Sequence, residues 1–356
     1  MKIHPVEDDL VLGTFGRAFW ILDDINPLRE IAGKGESLLN NDFDAMESAS
    51  GYLVSYRSVD GIRFSGQGEF KGENRSYDRI GFNVWKKPSD KSLLDKSKED
   101  KKDTGDKKES GDDKNLKVKV NIYDENGKLV RNFKRKIEDG LNRINWGLET
   151  NGTRFPSRNE PKEDDDLPAG YSVLPEKYKA VFELNGEKDS VMVEVKMDVR
   201  SAATLKDMTE IRKVQDEHTK IVIDAKNAYD KILNAKKSIG IVEKLLENQP
   251  DSVKKVFKVI HKKLNNKLDS LSNLFIEPEN VKGIQRNPDQ LSSVVFGALN
   301  YIRSSWTEPK GNALLALQKA KIMTEKANSV VFEFINTEWN EYKEKVKGIE
   351  VMIFKE

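Results

Sequence analysis

The chain has 356 residues, with 61 lysines and arginines against 60 aspartates and glutamates, and it contains no cysteine. Without a thiol there is no disulfide, no cysteine nucleophile and no cysteine-ligated zinc or iron–sulfur centre. A net charge of +1 supplies no overall field for a polyanion, which argues against a nucleic-acid partner.

The distribution of apolar residues limits the remaining classes of protein. No stretch approaches the ~20 apolar residues that span a bilayer, and the first 30 residues lack the basic start and apolar core of a signal peptide. We therefore expect neither a membrane span nor an export signal in this sequence. A hydrophobic content of 37% is low for a compact globule, so the length predicts two or three domains diluted by charged segments.

The N-terminal part of the chain is rich in strand-like runs. Residues 9–14 and 18–22 predict two short strands around a glycine turn, and residues 52–56 and 79–86 predict further strands. We assign Trp20 to packing inside this β structure.

A charged segment follows at residues 86–115, where only Leu93 and Leu94 could join a core. Such a segment cannot bury enough apolar surface to offset the entropy lost on ordering, so a disordered loop is predicted. Its positive and negative charges alternate and nearly cancel, which favours a solvated linker over an interaction tail.

Alternating apolar residues dominate residues 116–200. A hairpin is predicted where two alternating runs flank a turn that ends at Gly127. The strands predicted in this region are 117–123, 128–133, 142–148, 177–184 and 190–197. Short alternating strands with frequent turns are typical of an antiparallel sandwich of immunoglobulin-like type, with Trp146 in its core.

The apolar period changes to three or four over residues 201–350, which predicts four amphipathic helices in an antiparallel bundle. The predicted helix starts are Thr204 as N-cap with Asp207 three residues on, Pro250, Asn287 as N-cap, and about residue 312 for a helix that ends near residue 347.

The three histidines, His4, His218 and His261, are far apart in the sequence. His218 lies on an apolar helical stripe and His261 lies beside Ile260. Neither has the H-E-x-x-H spacing that puts two metal ligands on one helix face, so packed or partly exposed histidines are favoured over ligands.

Asp23 and Asp24 are the candidate catalytic carboxylates, because they follow the end of an apolar strand, where binding residues often lie. A glycosidase needs two carboxylates several ångströms apart across a cleft, one of them with a raised pKa. The alternative, which we favour, is a turn or cap that leads into the segment from Ile25 to Pro27.

No other motif carries chemistry. The acidic run at residues 163–166 could bind calcium, but it lacks the glycine and the alternating ligands of an EF-hand, so a solvated loop is favoured. The glycine-rich run at residues 61–68 opens no helix, and phosphate-binding, nucleophile-elbow and dinucleotide motifs are missing. We therefore predict no cofactor and no metal.

Residues 9–24 (DLVLGTFGRAFWILDD) resemble the closing segment of the β-propeller in large bacterial sortilin-like, BNR-repeat glycosyl hydrolase-type proteins. Further landmarks follow in the same order at residues 72–77, 118–146 and 197–200. The chain departs from the family pattern where Arg75, Ser76 and Val199 replace prolines, which weakens turn geometry more than it removes chemistry.

The resemblance implies a multidomain fold in which β domains precede helices. Its parts are an incomplete propeller end (1–30), a connecting region with the first sandwich strands (31–85), the charged loop (86–115), the immunoglobulin-like β-sandwich (116–200) and the antiparallel helical bundle (201–350). About 30 residues supply only the remnant of the last propeller blade. Within this resemblance we assign Arg17 to a structural contact in the propeller closure, and we assign Gly13, Gly16, Gly127 and Gly140 to turns.

This resemblance implies a non-catalytic scaffold or interaction region, periplasmic or extracellular, whose partner is the missing propeller portion or another protein. A carbohydrate ligand is implied for the family as a whole. Two alternatives stay open: a subunit of a glycosidase-type hydrolase completed by a separate propeller, and a helical adhesion or partner-binding module. Whether the chain is an enzyme is open, because its residues contain no catalytic constellation.

Overall fold

The computed structural model describes residues 1–5, 8–16, 19–54, 79–89, 116–162, 164–278 and 287–349. The chain divides into two compact units. One comprises Met1–Asn151 with Asp166–Ser201, and the other comprises Gly152–Asp165 with Ala202–Glu356. The first unit is built from strands and the second from long helices, which confirms the predicted order of β structure followed by helices.

Several sequence predictions fall outside the described residues. They are residues 90–115 of the disordered loop predicted over residues 86–115, the glycine-rich run at 61–68, the family landmark at 72–77, and Arg17. The first residues of the predicted loop are ordered, because Lys86 belongs to a strand and the backbone N–H of Ser89 donates to Asp139 at 2.9 Å.

A small antiparallel sheet opens the first unit. Its strands are β1 (Lys2–Ile3), β2 (Leu10–Gly13) and β3 (Phe19–Leu22), in the order β1-β2-β3. The two predicted strands are therefore confirmed.

Two short helices follow this sheet, α1 (Asn26–Lys34) and α2 (Glu36–Asn40). Pro27 lies in the first turn of α1, where its fixed φ suits the helix and its missing N–H costs no hydrogen bond. The sequence patterns did not predict these helices.

The rest of the first unit is built from ten strands among the described residues. They are β4 (Phe43–Met46), β5 (Gly51–Leu53), β6 (Ile80–Lys86), β7 (Lys117–Tyr123), β8 (Leu129–Lys136), β9 (Gly140–Trp146), β10 (Glu149–Asn151), β11 (Ala169–Ser172), β12 (Lys177–Leu184) and β13 (Glu187–Met197).

These strands form a three-stranded sheet, β4-β6-β9, a five-stranded sheet, β5-β13-β12-β7-β8, and a small pair, β10-β11. Neighbouring strands are antiparallel except for β5, which runs parallel to β13. The expectation of an entirely antiparallel arrangement is wrong at this edge, because β5 enters the sheet beside β13 in the same direction, which is possible since the two strands are far apart in sequence and not joined by a hairpin.

Aromatic side chains fill the space between the two larger sheets. Phe82 of β6 meets Phe182 of β12 with ring centroids 5.3 Å apart, and Trp146 of β9 meets Tyr178 of β12 at 5.3 Å. All four residues are at most 1% exposed. The two sheets therefore pack face to face, and the assignment of Trp146 to packing is confirmed.

Turn predictions were confirmed at three glycines. Gly16, Gly127 and Gly140 adopt positive φ, which a residue without Cβ reaches at little cost. Gly13 was also assigned to a turn, and this was wrong: it ends strand β2 without a positive φ.

The second unit contains five α-helices among the described residues: α3 (Leu205–Leu246), α4 (Asp251–Phe275), α5 (Leu291–Arg303), α6 (Asn312–Phe334) and α7 (Asn340–Lys347). Helix α3 contacts α4, α5 and α6, and α5 contacts α6. A π-helical turn, Ile335–Trp339, joins α6 to α7, so the predicted fourth helix is continuous but locally widened.

Helix starts were predicted with mixed success. Thr204 and Asp207 form a reciprocal capping box at α3, as predicted. Pro250 is the N-cap of α4 rather than its first residue. Asn287 was expected to cap the third helix, but its Oδ1 accepts the backbone N–H of Asp289 at 3.0 Å in a turn, and the helix starts after Gln290.

Candidate interaction surface

Strand β3 is apolar at every position and exposed at every position. Phe19 is 78% exposed, Trp20 56%, Ile21 60% and Leu22 48%. Since successive side chains of a strand point to opposite faces, both faces of β3 present apolar side chains to solvent. The assignment of Trp20 to packing is therefore wrong within the described part of the chain.

Strand β3 also lies at the edge of its sheet. It pairs with β2 through the partners Leu10 and Leu22 at one end and Gly13 and Phe19 at the other, and no strand follows it in the order of the sheet over the described residues. An edge strand of this kind presents backbone N–H and C=O groups to any strand that approaches.

A buried aspartate ties the end of β3 to the neighbouring three-stranded sheet. The side chain of Asp24 is 0% exposed. Its Oδ2 accepts a hydrogen bond from Asn83 Nδ2 at 2.9 Å and lies 3.5 Å from the guanidinium of Arg143. Asn83 of β6 and Arg143 of β9 are paired residues in that sheet. The carboxylate of Asp24 therefore contacts side chains from two adjacent strands.

The other oxygen of Asp24 binds Asn26, the first residue of α1. Oδ1 accepts hydrogen bonds from the backbone N–H of Asn26 at 3.3 Å and from Asn26 Nδ2 at 3.0 Å. The backbone N–H of Asp24 donates to Asp9 Oδ1 at 2.9 Å. Asp24 adopts a φ of 53°, which Asp tolerates better than most residues. We call Asp9, Asp24, Asn26, Asn83 and Arg143 the anchor.

A more exposed ion pair extends the anchor. Arg29 of α1 donates to Asp8 Oδ1 at 2.6 Å, and the backbone N–H of Ile25 donates to the Asp8 carbonyl at 3.0 Å. The hydrogen bond from Arg29 lowers the pKa of Asp8, with Asn26 adding to the effect.

The geometry around Asp24 matches the turn or cap interpretation of the Asp23–Asp24 pair. Both oxygens of Asp24 are occupied by donors that hold α1 and the neighbouring strands. Asp23 is half-buried and also has a partner. We therefore assign Asp24 a positioning role.

His218 and His261 are both packed inside the helical unit, at 4% and 3% exposure. His218 Nε2 lies 3.0 Å from the carbonyl oxygen of Val295 in α5. Burial lowers the pKa of His218, partly offset by this hydrogen bond. The interpretation of both as packed histidines is confirmed.

His261 of α4 contacts one residue of α3, Glu243, and one residue of α7, Tyr342. Its Nδ1 lies 3.1 Å from Glu243 Oε1, and its Nε2 lies 2.9 Å from the hydroxyl of Tyr342. Burial, with a contribution from the charge of Glu243, raises the pKa of Tyr342 to about 12. The ring of Tyr342 also packs against Trp339 at 5.0 Å. His261 and Tyr342 are both buried, so these side chains stabilise the packing of the helices and are not accessible from solvent.

The acidic run at residues 163–166 has a structural role at its end. Asp166 accepts the backbone N–H of Lys134 at 3.0 Å and pairs with Arg135 at 2.9 Å, so the prediction of a purely solvated loop is wrong for this residue. Glu163 lies outside the described residues. The described residues contain no group of three His, Asp or Glu side chains able to hold a metal ion.

Sequence reasoning missed Asn83 and Arg143. A usable signal was present for Asn83, since it is the one amide in the otherwise apolar core of β6, and a buried polar residue requires partners. No such signal existed for Arg143, because charged residues on strands are common at the surface.

Comparison of the chain with family models, with curated proteins and with solved structures found no match. No helix in the described part of the chain combines the length and the apolarity needed to cross a bilayer.

Proposed function

We propose that this chain is a scaffold and interaction region that binds a β-propeller through strand β3, in the manner implied by its resemblance to sortilin-like BNR-repeat proteins. The observation that carries the proposal is β3 itself: four consecutive apolar residues, each at least 48% exposed, at the edge of an anchored sheet. The proposal includes the periplasmic or extracellular location that the resemblance implies.

The physical chemistry of β3 supports a strand as its partner. An added strand would hydrogen-bond to the edge of β3 that no other strand of the described residues occupies, and the surrounding sheet would cover the side chains on both faces. Burial of an apolar side chain of this size contributes about 1.5–3 kcal/mol, so Phe19, Trp20 and Ile21 together provide a sizeable driving force. A propeller blade, which contains four antiparallel strands, supplies this environment.

The anchor supports the scaffold part of the proposal. A strand that binds a partner holds that partner to the rest of its own chain only if the strand is itself fixed to the rest of the chain. Asp24 provides that attachment, because its carboxylate accepts hydrogen bonds from Asn26 of α1 and Asn83 of β6 and forms an ion pair with Arg143 of β9. The sheet that carries β3 is therefore presented in a defined position within the first unit.

Strand order supports an immunoglobulin-like sandwich as the body of this scaffold. Sheets β4-β6-β9 and β5-β13-β12-β7-β8 have three and five strands, close to the three and four strands of the two sheets in that fold, and the additional strand is β5, which pairs with β13. The hydroxyl of Tyr178 donates to the carbonyl of Leu174 at 2.8 Å, which matches the tyrosine corner, and Trp146 packs in the core.

The helix contacts support a bundle as the second part of the scaffold. Helices α3, α4, α5 and α6 each bury an apolar stripe, and short connections such as the one between Leu246 and Asp251 are typical of antiparallel neighbours.

The test is binding of the full chain to a separately produced sortilin-like BNR β-propeller. We expect association at micromolar concentration or below, and loss of it in the double variant Phe19→Ser, Trp20→Ser. Met192→Ser is the matched control, because Met192 is a strand residue of the same unit with 58% exposure and belongs to a different sheet from β3. The control is expected to bind like the unaltered chain.

Two outcomes would overturn the proposal: no association at micromolar concentration, or association that the double variant leaves unchanged. Hydrolysis of an aryl glycoside by the complex, but by neither chain alone, would replace it with the hydrolase-subunit alternative. If a partner binds through the helices and substitutions in β3 have no effect on that binding, the alternative of a helical partner-binding module would replace the proposal.

A further inference from the structure

We propose that the segment Gly152–Asp165, which we call the strap, couples the folding of the two units so that each stabilises the other. The chain leaves the β unit after Asn151, contributes the strap to the helical unit, and re-enters the β unit at Asp166. The described residues of the strap form neither helix nor strand, and loops of this length without their own secondary structure usually have a specific role. The inference is independent of the proposed function.

The strap contacts the helical unit at three residues, Phe155, Arg158 and Glu160. The ring of Phe155 packs against Phe296 of α5 at 4.9 Å between centroids. Arg158 donates to the carbonyl of Glu277, just after α4, at 2.7 Å. Glu160 pairs with Lys237 of α3. One segment therefore contacts three helix regions that are far apart in sequence.

The residue that precedes the strap, Asn151, is held inside the β unit by hydrogen bonds. Asn151 Oδ1 accepts the backbone N–H of Asn132 at 3.1 Å and a guanidinium N–H of Arg131 at 3.2 Å. Asn151 Nδ2 donates to Asn132 Oδ1 at 2.6 Å. These bonds fix the exit point of the chain to strand β8.

The residues at which the chain returns are clamped to the same strand. Arg131 also donates to the carbonyls of Leu167 at 3.0 Å and Pro168 at 2.8 Å, and its side chain is only 6% exposed. Asp166 accepts the backbone N–H of Lys134 and pairs with Arg135. One buried arginine of β8 thus holds both ends of the excursion.

Fixed ends make the strap a mechanical link rather than a slack loop. If the helical unit opens, the strap loses its contacts at Phe155 and Arg158, and the residues that hold its ends gain freedom. If β8 opens, the strap loses the end positions that favour its bound conformation. Coupling of this kind is reciprocal, because a free energy that links two units acts in both directions.

Amide hydrogen exchange on the full chain tests the link in both directions. Asp166→Ala removes a clamp in the β unit, and we expect exchange in α5 and at the end of α4 to rise about fivefold, the factor that a loss near 1 kcal/mol produces. Phe155→Ser removes a contact in the helical unit, and we expect exchange in β8 and β10 to rise by a similar factor. Arg158→Gln provides a milder strap variant if Phe155→Ser does not fold.

Matched controls separate coupling from general destabilisation. Asp189→Ala removes another carboxylate of the β unit that accepts a backbone N–H, that of Ala45 at 2.7 Å, and it is expected to leave the helices unchanged. Phe332→Ser removes a phenylalanine of α6 outside the strap and is expected to leave β8 and β10 unchanged. Faster exchange confined to the unit that carries the strap or clamp substitution would overturn the proposal.

Discussion

Strands β3 and β9 each carry a tryptophan assigned to packing from the sequence, yet only one of the two is buried. Trp146 of β9 is 1% exposed and lies under the five-stranded sheet, whereas Trp20 of β3 is 56% exposed. The residues of β9 alternate between buried and exposed, while those of β3 are all apolar. An unbroken apolar strand requires cover on both faces, and the described part of this chain provides cover for neither.

The largest expected effect is on the free energy of unfolding, which should fall much more when Trp146 is substituted than when Trp20 is substituted. Trp146→Ala should lower the free energy of unfolding by about 3–5 kcal/mol, because it removes a core aromatic residue and leaves a cavity. Trp20→Ala should change it by about 0.5 kcal/mol or less, as is usual for exposed residues. Urea unfolding of both variants measures the difference, and equal effects would contradict the contrast.

A smaller effect concerns the attachment of the β3 sheet. Asp24→Ala should lower the free energy of unfolding by about 1–3 kcal/mol, because Asn83 and the backbone N–H of Asn26 lose their buried acceptor. Asp44→Ala is the control, since its carboxylate accepts only an exposed hydrogen bond from Asn41 among those identified. Urea unfolding reports the loss, and amide exchange in β2 should rise in the Asp24 variant alone.

The smallest expected effect concerns the pH dependence of stability that the buried His218 gives to the helical unit. Burial lowers the pKa of His218 in the folded chain, so the unfolded chain binds the proton more readily. The resulting stability is present above the unfolded pKa of about 6.5 and is lost as the pH falls below it.

Melting temperatures measured between pH 8 and pH 5 check this pH dependence. We expect the decrease on acidification to be smaller in His218→Gln, which keeps a donor for the Val295 carbonyl but does not titrate. His4→Gln, at an exposed position, should follow the unaltered chain. A decrease of the same size in all three proteins would contradict the assignment to His218.

Much of the fold was accessible from residue patterns. The alternation in β7, β8 and β12 and the apolar stripes of the long helices depend on local periodicity, which a single sequence contains. The strands that were missed, β1, β4, β10 and β11, have between two and four residues. Such lengths are too short for alternation to be recognised.

The anchor and the strap could not be predicted from residue patterns. Asp24, Asn83 and Arg143 are distant in sequence, and nothing local shows that their side chains meet. The same holds for Arg131, whose partners at Asn151, Leu167 and Pro168 lie on either side of the strap. Hydrogen bonds between distant residues depend on how strands are paired and stacked, and a single sequence does not specify that pairing.

The sequence by itself determined the near balance of charge, the lack of thiol chemistry, the change from strand to helix near residue 201, and the apolar character of β3. These properties depend on composition and on periodicity along the chain. Only the tertiary structure decided that Trp146 is buried and Trp20 exposed, that Asp24 is an attachment point, and that Asp166 is a clamp. Those distinctions depend on which surfaces and donors other segments supply, because burial and hydrogen bonding are properties of packed neighbours rather than of single residues.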